Sequence, residues 1–135
     1  MGEYSRRTFL RAAGAGLAVS ALDASGAAKA QASECVRHAV IGIGNQGSGH
    51  VRRFAAQPDC EVVAVCDVDP ERRAKGASLA GHDNVAQYED LRELLEDPSI
   101  DSVSVVTPDH WHTPAALLAL QAGKHVYVEK PCCHN

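Results

Sequence analysis

The sequence predicts an α/β fold in which about five parallel strands form a doubly wound sheet between two layers of helices. Three observations predict it. Short Val- and Ile-rich runs alternate with stretches of helical composition from residue 37 onward. Aromatic residues are only 4% of the chain, so its 45% hydrophobic content must pack as Val, Ile, Leu and Ala, which suits a sheet buried on both faces. The first apolar run ends in a glycine-rich turn that leads directly into a helix pattern. A length of 135 residues holds one domain of ordinary size.

Residues 1–30 stand apart from this pattern. Ser5-Arg6-Arg7-Thr8-Phe9-Leu10-Arg11 is followed by a small-residue apolar stretch over 12–22 and then by Ala28-Lys29-Ala30, the three parts of an export signal. The paired arginines before Phe9-Leu10 and the weakly apolar middle resemble a twin-arginine signal. Cleavage is expected after Ala30, with Ala32 as the second choice. Such a route carries folded proteins, often with a cofactor already inserted, so a tightly held cofactor fits. The expected partner is the twin-arginine export machinery and the expected location periplasmic or extracellular. The apolar stretch is shorter than the about 20 residues that span a bilayer, so no stable membrane anchor is expected. Glu34 before Cys35 departs from the small residue a lipoprotein cleavage site needs.

The elements of the remaining domain, residues 36–135, follow in order. Strands are predicted over 38–43, 61–66, near 84–87, 102–106 and 125–128, all but the third rich in Val or Ile. Asp69-Pro70 places a capping carboxylate and a first-turn proline at the start of a helix that runs toward Gly81. Asp97-Pro98 ends the next helix, and Thr113-Pro114 starts one that runs to Gly123, a left-handed stop.

The run Gly42-Ile43-Gly44-Asn45-Gln46-Gly47 is a G-x-G-x-x-G motif set between a strand and a helix, the fingerprint of a dinucleotide-binding Rossmann fold. Gly42 allows the tight turn, Gly44 lets backbone approach a pyrophosphate, and Gly47 lets helix and strand pack closely. Asn45 and Gln46 open the helix whose N-terminus faces the phosphates. Twenty residues past Gly47 the second strand ends in Asp67, placed to accept hydrogen bonds from ribose hydroxyls. This favours NAD. Arg72 and Arg73 follow closely enough to offset repulsion of a 2′-phosphate, so NADP stays open. Asp69 reads simply as a helix cap.

Two more loops leave strand ends, Thr107-Pro108-Asp109-His110-Trp111-His112 and Glu129-Lys130-Pro131. With the glycine motif, Asp67 and Ala122-Gly123-Lys124-His125-Val126, they resemble the Gfo/Idh/MocA oxidoreductase family across residues 37–135. The resemblance implies that Lys130 stands beside the nicotinamide and steadies the reacting hydroxyl, that Glu129 orients it, and that the Lys130–Pro131 bond is cis. It places Thr107, Pro108, Trp111 and His112 along the cofactor or at the rim of the substrate cleft, with His112 a catalytic candidate. A lysine at a strand end is otherwise simply solvated. His110 and His112 lack a third ligand at useful spacing, so no metal is expected. His38, His50, His82, His125 and His134 receive no role.

Charge and cysteines narrow the classes further. The net charge is −4, and because residues 1–30 hold four basic and two acidic side chains it is −6 beyond them, which argues against a nucleic-acid partner. The five cysteines have no C-x-x-C spacing, so neither a zinc site nor a disulfide framework is indicated. The resembled family continues into a substrate domain that supplies a catalytic acid or base and often the dimer interface. That domain is absent here, so the Rossmann fold is expected to be incomplete at its C-terminus, inactive alone, and oligomeric only when completed. Three readings follow: an NAD(P)-dependent oxidoreductase acting on a sugar, polyol or related carbohydrate, an NAD-dependent glycoside hydrolase, or a non-catalytic dinucleotide-binding module.

Overall fold

Alternating side chains on short apolar strands dictate the architecture, because each strand has to bury both of its faces. A computed structural model describes residues 35–132; the proposed signal and its cleavage sites lie outside the described residues. Five parallel strands, β1 (Val36–Ile41), β2 (Cys60–Cys66), β3 (Ala86–Tyr88), β4 (Ser102–Val105) and β5 (His125–Val128), form one sheet in the order β3-β2-β1-β4-β5. Four helices connect them: α1 (Asn45–Ala55), α2 (Pro70–Leu79), α3 (Leu91–Glu96) and α4 (His112–Gln121). The predicted doubly wound α/β fold is the one observed. The order reverses between β1 and β4, which opens a crevice at their carboxyl ends where such sheets bind ligands.

The two faces have separate cores. Ala39, Ile41, Val103 and Val105 pack with Leu94 of α3 and with Ala115 and Ala119 of α4. Val40, Val62 and Val65 pack on the other face with Val51 of α1. A register shift between His38 and Ala39 gives β2 one extra residue, Val63, so Val62 and Val65 reach the same face although three apart. No composition signal announces that bulge. On β4 the apolar face alternates with Ser102 and Ser104, which belong to the face covered by α1.

Boundaries follow local chemistry. β1 ends at Ile41, two residues earlier than predicted, because Gly42 turns the chain with φ of 91°. Asp69 caps α2 by accepting the Glu71 and Arg72 N–H groups, with Pro70 at the first helical position. Asp90 does the same for α3 through Arg92. α4 starts at His112, after a 3-10 turn over Asp109–Trp111, and Pro114 falls in its first turn, where its missing N–H costs no helical bond. Lys124 is only 9% exposed, and its Nζ donates to the carbonyls of Asp97 and Ile100 at 2.6 and 2.9 Å. It thereby satisfies backbone oxygens left over where α3 ends.

His38 of β1 lies under α1 at 3% exposure, its ring 3.9 Å from that of Phe54. Burial, with a smaller push from His50, drives its pKa down to about 4. The unfolded chain takes up this proton near the ordinary value of about 6.5, so the contribution is intact above that pH and is lost as pH falls toward 4. The full-length protein should lose roughly 3 kcal/mol across that window from this group alone. Urea denaturation at pH 7 and pH 4.5 measures it, and His38→Leu should flatten the slope. Equal slopes in the two proteins contradict the assignment.

Candidate functional site

The carboxyl end of β1 and the start of α1 approach each other more closely than any side chain would permit. A Cβ on Gly47 would lie 1.8 Å from the Gly42 carbonyl oxygen, and one on Gly42 would lie 2.7 Å from the Val106 oxygen. Gly44 differs, since nothing stands within 4 Å of its missing Cβ. Its openness is on the outer side of the loop, where a pyrophosphate needs bare backbone. No side chain caps α1, and its first backbone bond runs from Ser48 N–H to the Gly44 oxygen. The N–H groups of Asn45, Gln46 and Gly47 are therefore left to an anion or to solvent. Asn45 and Gln46 are exposed, while Gly47 is buried.

Asp67 stands at the end of β2 with both carboxylate oxygens engaged. Oδ2 accepts the Ile43 N–H at 2.7 Å, and Oδ1 accepts the Asp69 N–H at 3.0 Å. The carboxylate thus clamps the glycine loop to the β2 loop, and each oxygen retains a lone pair for a hydroxyl. The two arginines that could offset it are engaged elsewhere. Arg73 Nη1 donates to the Asp67 carbonyl at 2.6 Å and its Nη2 lies 3.5 Å from Glu89, while Arg72 lies 3.5 Å from Asp69.

A cavity of about 580 Å³ opens beside this clamp, lined among others by Gly42, Asp67, Arg72, Thr107, Pro108 and Trp111. The Thr107 hydroxyl and that of Ser48 are buried and have no partner among the described residues. Such orphaned groups, together with the bare loop, fit a polar ligand that would complete them. The sequence signal for Thr107 was its place after a strand; Ser48 gave none.

At the lysine end the structure rearranges two expected roles. Glu129 Oε2 accepts the backbone N–H of Lys130 at 3.2 Å, and Oε1 lies 2.9 Å from His50 Nε2. Its carboxylate therefore holds the lysine backbone. The His50 contact, helped by the Lys130 N–H, keeps the Glu129 carboxyl below its ordinary value. The Lys130 side chain is exposed, and the Lys130–Pro131 peptide is cis. His112 was expected to line the cofactor or the cleft, yet it is 2% exposed, with Nδ1 2.7 Å from the Pro131 oxygen and Nε2 2.8 Å from the Thr107 oxygen. From the start of α4 it ties the Thr107 and Pro131 loops together. Trp111, 41% exposed, does face the cavity, as does His110. His50 was given no role from sequence. Its signal was its position one turn past Gly47, matched by the Ser102-Val103-Ser104-Val105 alternation that marks a polar sheet face.

Comparison with known proteins follows the same outline. Residues 36–135 match the family described as "Oxidoreductase family, NAD-binding Rossmann fold", Gfo/Idh/MocA. A glycosyl hydrolase family 109 protein of Saccharopolyspora erythraea is 40% identical over an alignment covering 95% of this chain and 33% of that protein. An alpha-N-acetylgalactosaminidase of Shewanella oneidensis is 33% identical, covering 97% and 34%. The crystal structure of Lactobacillus casei myo-inositol dehydrogenase in complex with NAD(H) and myo-inositol superposes with a TM-score of 0.69 at 35% identity, over 73% of this chain and 29% of that one. The chain spans about a third of the length of these curated relatives.

The glycine geometry predicts a contrast in stability. Gly47→Ala forces backbone apart and should cost at least about 3 kcal/mol, whereas Gly44→Ala should stay within about 1 kcal/mol of the unsubstituted protein. Thermal unfolding of the two variants separates them, and equal losses would contradict the packing described.

Proposed function

The chain belongs to the Gfo/Idh/MocA oxidoreductase family, with residues 36–135 forming its NAD-binding Rossmann fold, and we propose that it is the cofactor-holding part of an exported enzyme that oxidises or reduces a carbohydrate. The observation that carries this reading is the placement, at the carboxyl ends of the parallel strands, of the bare Gly44 loop, the Asp67 clamp, the Thr107 cavity and the Lys130 loop. When bound, NAD supplies the site that takes or gives a hydride. The α1 N-terminus and Gly44 would hold its pyrophosphate, and Asp67 its ribose hydroxyls. Thr107, Pro108 and Trp111 would flank it further along the crevice. Lys130 would donate a hydrogen bond to the reacting hydroxyl and steady the negative charge that develops as its proton leaves.

NAD is the better fit than NADP, because Asp67 repels a 2′-phosphate and Arg73 is already spent on a carbonyl and on Glu89. The inositol dehydrogenase and the hydrolase names of the relatives both point to polyhydroxylated substrates. We assign the substrate contacts and the acid–base partner of Lys130 to a further domain, as the family resemblance implies. The curated names favour a second reading, in which the hydride returns to the same sugar and a glycosidic bond is cleaved without net NADH.

Fluorescence titration of the full-length protein should show NADH binding at least tenfold tighter than NADPH, a gap that Asp67→Ala should narrow. Lys130→Met should retain NADH binding and lose at least about 10²-fold in turnover. NADH formation with polyols or sugars supports net oxidation. Release of the aryl group from an aryl N-acetyl-α-galactosaminide without NADH supports the cleavage reading. Failure to bind either nucleotide refutes both.

We further propose that residues 1–30 direct twin-arginine export to the periplasm or medium. The Arg6-Arg7 pair and the weakly apolar stretch that follows it support this. Replacing both arginines by lysine should leave the protein in the cytoplasmic fraction with the signal uncleaved. Unchanged export of that variant contradicts the proposal.

A further inference from the structure

A line of hydrogen-bonded side chains runs behind the reactive end of the site, on the face of the sheet covered by α1. Ser102 Oγ lies 2.7 Å from His38 Nδ1, and His38 Nε2 lies 2.9 Å from Ser104 Oγ. Ser104 Oγ lies 3.3 Å from His50 Nδ1, and His50 Nε2 lies 2.9 Å from Glu129 Oε1. Glu129 closes the line on the backbone N–H of Lys130. Ser104, His38 and His50 are at most 3% exposed.

For a His50 ring that carries one proton, the far end fixes the direction of every bond. A carboxylate only accepts, so His50 Nε2 carries a hydrogen and donates it. With one proton on the ring, His50 Nδ1 must accept, and the Ser104 hydroxyl donates to it. The Ser104 oxygen then accepts from His38 Nε2–H, and His38 Nδ1 accepts from the Ser102 hydroxyl. His38, Ser104 and His50 each donate once and accept once, and no donor meets a donor. The order satisfies these buried or half-buried groups and ends on the Glu129 carboxylate.

We propose that Ser102, His38, Ser104 and His50 are a positioning relay for the reaction centre, holding the Glu129 carboxylate in one orientation and, through it, the backbone that presents Lys130. This rests on the reading of Lys130 as the lysine beside the nicotinamide. No member of the relay touches substrate. His50 sits one turn beyond Gly47 on α1, so one rigid helix sets both the phosphate loop and the lysine loop. From the other side His112 holds the Pro131 carbonyl, and Glu129–Pro131 is thereby gripped at both ends.

The relay is tested on the full-length protein. Long-range proton–nitrogen spectra of histidine-labelled protein should show both His38 and His50 as the Nε2–H tautomer. His50→Leu should lower kcat on the order of 10²-fold while the NADH dissociation constant stays within about threefold. His50→Gln, whose amide donates from nearly the same place as Nε2, should recover most of that loss and restore the Lys130 amide shift. Ser104→Ala, which breaks the line in the middle with little change of volume, should lower kcat less than His50→Leu does, and it decides the matter if the leucine variant does not fold. An Nδ1–H tautomer at either ring, an unchanged kcat in both variants, or a loss of NADH binding equal to the loss of kcat overturns the relay. If the unsubstituted protein neither binds NADH nor transfers hydride, the functional reading fails instead, and the tautomers with the Lys130 amide shift still decide the relay.

Discussion

The structure depends on one close approach, that of Gly47 in α1 to the Gly42 carbonyl at the end of β1, where even a methyl group has no room. That contact fixes how α1 leaves the sheet. The helix then delivers three things at once: an uncapped N-terminus beside the open Gly44, an apolar side chain, Val51, for the core of one face, and His50 against Ser104 and Glu129. A shift of the helix by an ångström would disturb all three together, since interiors at this density transmit rather than absorb displacement.

Electrostatics at the site follow the same economy of parts. Asp67 fastens the glycine loop to the β2 loop through two backbone N–H groups and keeps a lone pair on each oxygen. Glu129 likewise satisfies a ring nitrogen and a backbone N–H in place of the lysine side chain, which stays exposed. The buried histidines serve as directional connectors. His112 spans two carbonyl oxygens, while His38 and His50 alternate with hydroxyls.

What was legible in the sequence is what is written locally. The glycine motif, the Asp69 cap, the alternation of strands with helices and the carboxylate after β2 are each set by residues close together in the chain, and the structure reproduces them. The end of β1 was misjudged by two residues because a positive φ at Gly42, and no change in hydrophobicity, stops the strand. His112 and His50 were misread because the partners that define them lie 19 and 79 residues away, on other elements. Only the Ser-Val alternation of β4 hinted that one sheet face is polar, and it does not say which rings lie opposite.

The extra residue in β2 bears on how the motif itself is to be read. Val63 is inserted where β2 passes His38 and Ala39, upstream of the carboxylate, and the regular pairing resumes on either side. A chain lacking that residue would keep Val62, Ala64, Val65 and Cys66 on their present faces, since strict alternation would then hold. The extra residue is thus accommodated inside the strand rather than in a loop. The interval between Gly47 and Asp67 accordingly counts one residue that no loop accounts for, and a ruler laid along a regular strand would place this carboxylate one position short.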